Sequence, residues 1–221
     1  MPRNKHPEET ARKILDASLK LFLEKGYEQT TILDIVDNLG GLTRGAFYHH
    51  FKSKEDVLEA LTEKLFNEDN PFQAVQDMKG ATGLEKIKTI FLTHMGGGDD
   101  RKYDSLTRTA ISLLQHPRFL AKHLKNNQEV AAMFEPLIEE GIADGSIRPG
   151  NAKLLAELGM LLLNIWFIPT IYPCNKAEFM SKLAIVKQIL DSLGFPLLDE
   201  KTVKEKGAAL VELLGIDAGQ D

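Results

Sequence analysis

Apolar positions recur at helical spacing along almost the whole chain, and nowhere alternate with period two over the length of a strand. Between Glu9 and Lys25, Ala11, Ile14, Leu15, Ser18 and Phe22 line one face, and Gly26 stops the helix. Ile32, Ile35, Val36 and Leu39 repeat the i, i+3, i+4, i+7 pattern, with Thr31 and Asp34 spaced as a capping box and Gly40-Gly41 as the stop. A third, short helix opens at the N-cap Thr43 and buries only Ala46 and Phe47 before Phe51. Its other face (Arg44, Gly45, Tyr48 and His49) is too polar for a core. Ser53 and Asp56 cap a fourth helix striped by Val57, Leu58, Leu61 and Leu65, which runs to about Asn67 before Asn70-Pro71 breaks it.

From Pro71 the pattern stays helical. Helices are predicted over Leu84–Met95, closed by Gly96-Gly97-Gly98, and over Tyr103–Gln115, stopped at His116-Pro117. Longer ones follow over Arg118–Asp144, with Pro136 inside, and over Asn151 to about Ile171. Lys176–Leu193 and Lys201–Leu214 close the chain. The expected fold is all-α, with about nine to ten helices in two domains, residues 9–69 and 70–215.

Two short helices joined by a glycine turn, the second polar on one side, form a helix-turn-helix pattern. The segment LTRGAFYHHFKSKEDVLEAL resembles the signature of TetR-type (tetracycline-repressor-like) transcriptional regulators. The resemblance spans residues 9–69, where ILDASLKLFLEKGYEQTT matches the family's first helix and its lead into the second. Beyond residue 70 it is one of layout and length, with a GIADGSIRPG turn of a kind common there. The chain departs from the family at Gly40-Gly41-Leu42, one residue longer than usual, which leaves open which side chains meet bases.

Composition changes this picture in one respect. A net charge of −5 looks wrong for a DNA binder, but it is unevenly spread. Residues 1–54 hold nine Lys and Arg against seven Asp and Glu, a net of +2, and the remainder 18 against 25, a net of −7. Only the N-terminal part is suited to face phosphate. Residues 1–8 are a short basic tail, either an arm along DNA or a frayed terminus. The single cysteine, Cys174, excludes an intramolecular disulfide and a Cys-based zinc finger. Met1 to His6 leads straight into a polar helix with no signal-peptide pattern, so a cytoplasmic protein is expected.

Chemistry then assigns roles. Thr31, at a helix N-terminus, offers hydroxyl and N–H groups to a phosphate, and Lys52 and Lys54 add charge. The resemblance implies that Tyr48 and His49 are phosphate contacts. Thr43, Arg44 and Gly45 read bases, Arg44 as a bidentate guanine ligand and Gly45 by allowing close approach. His50 and Phe51 read as core, with a phosphate contact as the alternative for His50. The partner the resemblance implies is a double-stranded DNA operator. So few contacts per subunit require a homodimer on a near-palindrome.

For the second domain the resemblance implies dimerisation through 151–171 and 176–193, with the stripe Leu183, Val186, Ile189 or Leu190, and Leu193 at the interface. A small-molecule effector would lodge among Phe91, His94, Met95, Leu113, Met133, Phe134, Leu137 and Trp166, a mostly apolar set suited to a hydrophobic or flat molecule. Repression by blocking a promoter is the family's default, with activation as the alternative.

Competing readings are weaker. LLAELGMLLLNIWFIPTIY approaches spanning length, but Glu157, Asn164 and Pro169 interrupt it, so no membrane partner is expected. GGGDD lacks the lysine of a phosphate loop. His94, Asp99, Asp100, His116 and His123 show no metal spacing and read as scattered surface groups. No nucleophile elbow, HExxH or dinucleotide glycine pattern is present, so neither an enzyme nor a cofactor is expected.

Overall fold

A computed structural model describes residues 7–41, 43–68, 70–94, 101–115 and 117–216, which are helical with no strand among them. The chain divides into two compact units after Asn70.

The first unit holds α1 (Pro7–Lys25), α2 (Ile32–Asp37), α3 (Arg44–His50) and α4 (Lys54–Glu68). Ile14, Phe22, Ile35, Phe47, Val57 and Leu61 form its centre, where α1 packs on α2 and α4. Ser18 reaches this core because its hydroxyl donates back to the Ile14 carbonyl at 2.7 Å, so its own polar group is met. Ala11 and Leu15, expected beside them, are half-buried. Val57, Leu58 and Leu61 are buried as their spacing requires; the side chain of Leu65 lies outside the described residues.

The second unit holds α5 (Pro71–Gln76), α6 (Gly83–His94), α7 (Arg101–Ser112) with a 3-10 turn over Leu113–Gln115, and α8 (Pro117–Asp144). Then come α9 (Ala152–Met160), continued by a π turn over Leu161–Ile165, α10 (Lys176–Ser192) and α11 (Glu200–Leu214). The eleven α helices among the described residues exceed the expected count by α5, whose Pro71 sits at the first helical position, where its missing N–H costs nothing. The helix expected to reach Ile171 instead ends at Met160 and the π turn, marked by Trp166 N–H donating to the Leu161 carbonyl at 3.1 Å. Pro169 and Pro173 have no amide hydrogen to continue it.

Helix α6 crosses α8 at Gly83. A Cβ there would lie 2.2 Å from the Gly141 nitrogen and 2.4 Å from the Leu137 carbonyl oxygen. Only glycine allows that approach. The core beside it runs through Leu84, Ile87, Ile138 and Ala156 to Phe179, Leu183, Val186 and Leu190. No helix among the described residues is long and apolar enough to cross a membrane.

Candidate nucleic-acid interface

Helix α3 is a seven-residue element held from beneath. Thr43 caps it by accepting from the Ala46 N–H at 3.2 Å. Phe47 is fully buried and Phe51, at its end, nearly so, with Ala46 half-buried between helix and solvent. Seven residues are too few for a stable isolated helix, so these aromatic anchors hold it in place. What remains outside is Thr43, Arg44, Gly45, Tyr48 and His49, all exposed, with Lys52 just beyond. Tyr48 packs edge-on against Phe47 at 5.5 Å, so its ring is oriented although half its surface is free. His50 is half-buried beside Phe51. Burial first, then the neighbouring His49, pushes its pKa down and favours the neutral ring.

A Cβ on Gly45 would meet only the Thr43 hydroxyl, at an ordinary 3.7 Å. The fold itself therefore does not demand glycine at this position. In the preceding turn Gly40 and Gly41 take φ of 57° and 111°, the left-handed region glycine favours; Leu42 lies outside the described residues.

Two residues expected at phosphate are engaged inside the unit. Thr31 forms the capping box of α2: its hydroxyl and its backbone N–H each donate to Asp34 Oδ2 at 2.7 Å. Asp34 also accepts from Lys25 at 2.8 Å, and these bonds hold its carboxyl well below the usual range. A phosphate would have to displace that carboxylate, so Thr31 has no free donor for it. Lys54 bends back instead of outward. Its ammonium donates to the Tyr27 carbonyl at 2.7 Å and the Glu28 carbonyl at 3.4 Å, and lies 4.2 Å from the centroid of the Tyr27 ring. Carbonyl oxygens in the turn after α1, one of them already accepting from the Thr30 N–H at 3.2 Å, and an aromatic face together hold the cation there. Buried Tyr27 is also pushed up in pKa, by desolvation first and by Glu55 next.

In the second unit the candidates separate. Leu113 is buried, and Phe91, Met133, Phe134, Leu137 and Trp166 are half-buried. Phe134 meets Phe72 edge-on at 4.8 Å, and Lys182 donates to the Trp166 carbonyl at 3.5 Å. Met95 and the side chain of His94 lie outside the described residues, as do Asp99, Asp100 and His116. Two surface grooves, of about 440 Å³ by Pro173–Ile185 and about 600 Å³ by Lys88, Arg148 and Asp199, contain none of the expected lining.

Burial divides the expected dimer stripe. Leu183, Val186 and Leu190 are at most 1% exposed and belong to the unit's own core, while Ile189 is half-buried and Leu193 exposed. The large apolar residues that α10 and its C-cap turn outward are Ile185 and Leu193, and Leu154 and Leu161 stand out from α9 and the π turn. Both stripes of α10 have helical spacing, and the more apolar one went to the core.

Sequence spacing also hid a polar group in this interior. His123, expected at the surface, keeps Nε2 buried with no hydrogen-bond partner, and burial pushes its pKa down. One turn on, buried Asn127 accepts from Asn164 Nδ2 at 2.8 Å. The available signal was an i, i+4 polar pair interrupting the apolar stripe of α8. Among the described residues no group of His, Cys, Asp and Glu could hold a metal ion.

An N-terminal helix-turn-helix with an exposed, aromatic-anchored second helix, followed by a larger all-helical unit, defines the architecture of helix-turn-helix regulators. Residues 14–61 match the family described as bacterial regulatory proteins, tetR family. The chain is 31% identical over 142 residues to the HTH-type transcriptional repressor KstR2 of Mycolicibacterium smegmatis, covering 62% of this chain and 66% of that protein. It is 44% identical over 79 residues to the HTH-type transcriptional regulator SrpR of Pseudomonas putida, covering 36% of this chain and 34% of that one. Its fold is similar to a TetR-family transcriptional regulator from Pectobacterium atrosepticum, with TM-score 0.63 and 23% identity over 87% of this chain and 97% of that chain. The chain spans just under two thirds of the length of the M. smegmatis repressor. The domain over residues 14–61 is of the tetR family of bacterial regulatory proteins.

Proposed function

We propose that this protein is a ligand-responsive transcriptional repressor that binds a near-palindromic DNA operator as a homodimer and leaves it when a small, mostly hydrophobic effector binds the helical unit. It acts by binding, not catalysis, in the cytoplasm. The observation that carries this is the outer face of α3: Thr43, Arg44, Gly45, Tyr48 and His49 all exposed over buried Phe47 and Phe51. That face fits a major groove. The named repressor among the relatives supports the sign of regulation.

Arg44 offers a fork of donors to a guanine edge, and Tyr48, His49 and Lys52 position the helix on phosphates. One seven-residue helix contacts too few bases for specific binding, so two subunits related by a two-fold axis read two half-sites. Leu154, Leu161, Ile185 and Leu193 supply the exposed apolar surface for pairing. Release follows from population shift, in which the effector binds better to dimers whose two α3 helices no longer match successive grooves.

The test is retardation of DNA carrying the inverted repeats that flank the protein's own gene, with stoichiometry by light scattering. Two chains per operator and weak binding to scrambled DNA are expected. A chain that retards none of these fragments would instead be a helical protein-interaction module retaining the fold.

A further inference from the structure

We propose that His123, Asn127 and Asn164 form a hydrogen-bonding anchor inside the helical unit for an uncharged, apolar molecule carrying a hydroxyl group. The proposal rests on the reading of this unit as a sensor and names the chemistry of what it senses.

Helix α8 has an inward stripe that is apolar in its C-terminal half, where Ala131 and Ile138 are buried. Toward its N-terminus the same stripe turns polar at Asn127 and, one turn earlier, His123. The 3-10 turn packs on this part of the helix with Leu113 and Leu114 buried. Asn164 comes from the π turn that interrupts the helix after α9, and its amide donates to Asn127 Oδ1 at 2.8 Å. Single π turns recur at functional sites because they re-aim side chains that a regular helix would place elsewhere. Three polar residues from two elements thus converge in an otherwise apolar interior.

His123 is the member left incomplete. The residue is half-buried, yet Nε2 is buried and makes no hydrogen bond. Buried polar atoms without partners are rare and costly. A ligand that completes the nitrogen explains its presence.

The missing partner's chemistry follows from the ring. Burial lowers the imidazole's pKa and so favours the neutral ring. Depending on tautomer, Nε2 then donates or accepts. A hydroxyl does both and satisfies either tautomer, and its second lone pair remains free for an amide. A carboxylate would bring an unpaired charge into the same low-dielectric place. Binding requires the side chains covering Nε2 to move aside.

The experiment uses the full chain with 15N-labelled histidine and three probes of similar size: cyclohexanol, methylcyclohexane and cyclohexanecarboxylate. Cyclohexanol is expected to move the His123 ring-nitrogen signal and to bind at least about tenfold more tightly than methylcyclohexane by thermal shift. The carboxylate should not bind. His123→Phe should raise the melting temperature of the ligand-free protein and erase the preference for cyclohexanol. If that variant fails to fold, the nitrogen signal decides alone. Equal binding of the alcohol and the hydrocarbon, or no effect of cyclohexanol on His123, would show that solvent serves the nitrogen and would overturn the anchor. Operator release is scored separately. Preferential cyclohexanol binding that never releases DNA leaves the anchor standing and removes the regulatory reading. Release by another compound at equal concentration in wild type and His123→Phe does the reverse.

Discussion

The ammonium of Lys54 lies 2.7 Å from the carbonyl oxygen of Tyr27 and 4.2 Å from the centroid of that residue's ring. One side chain thereby ties the start of α4 to the turn between α1 and α2. Replacing Lys54 by Met keeps the stem and removes the charge. Loss of a charged hydrogen bond and a cation–π contact should cost about 1–3 kcal/mol in urea titrations. Operator affinity should fall with it, while its dependence on salt stays unchanged. A slope reduced by about one unit of log K per log salt would make Lys54 a phosphate ligand after all.

Arg44 should behave differently. Arg44→Ala is expected to leave stability alone, cost about 1–3 kcal/mol per half-site and relax specificity at one base pair in each. Gly45→Ala should fold normally, since only the Thr43 hydroxyl is near a new Cβ, yet weaken operator binding by crowding the groove. Binding curves on operator and scrambled DNA separate the two effects. An Arg44→Ala loss equal on both DNAs would move base reading to Thr43 or Tyr48.

Acid should loosen the start of α2. Hydrogen bonds from Lys25 first and Thr31 next hold the Asp34 carboxyl below its ordinary value in the folded chain. Its contribution is therefore complete above the unfolded value of about 4 and fades as pH falls toward the folded one. The melting-temperature gap between wild type and Asp34→Ala should be constant from about pH 7 to 5 and narrow progressively as pH falls below about 4. A gap that persisted in acid would mean the carboxylate contributes nothing through its charge.

Dimerisation should follow the outward stripe of α10 and not its inward one. Leu161→Glu with Ile185→Glu is expected to give monomers in light scattering with helical circular dichroism intact and operator binding lost. Leu183→Ala, inside the core, should instead destabilise the fold by about 2–5 kcal/mol. Dimers that survived the double substitution would place the interface elsewhere.

Local chemistry was readable along the chain because it depends on neighbours in sequence. Thr31 and Asp34 make the capping box their spacing implies, Thr43 caps α3, and Phe47 is buried while Arg44 and Tyr48 are not. An all-α fold and a helix-turn-helix follow from periods and caps within ten residues of each other. Tertiary structure decided what spacing leaves degenerate. Helix α10 carries two apolar stripes, and only packing against the rest of the unit selects Leu183, Val186 and Leu190 for the core and leaves Ile185 outside. Lys54 reads as a free cation until a carbonyl 27 positions earlier in the chain folds against it. His123 reads as a surface group until neighbouring elements close over its nitrogen. A side chain's partners across the fold are set by three-dimensional contact, which no local period encodes.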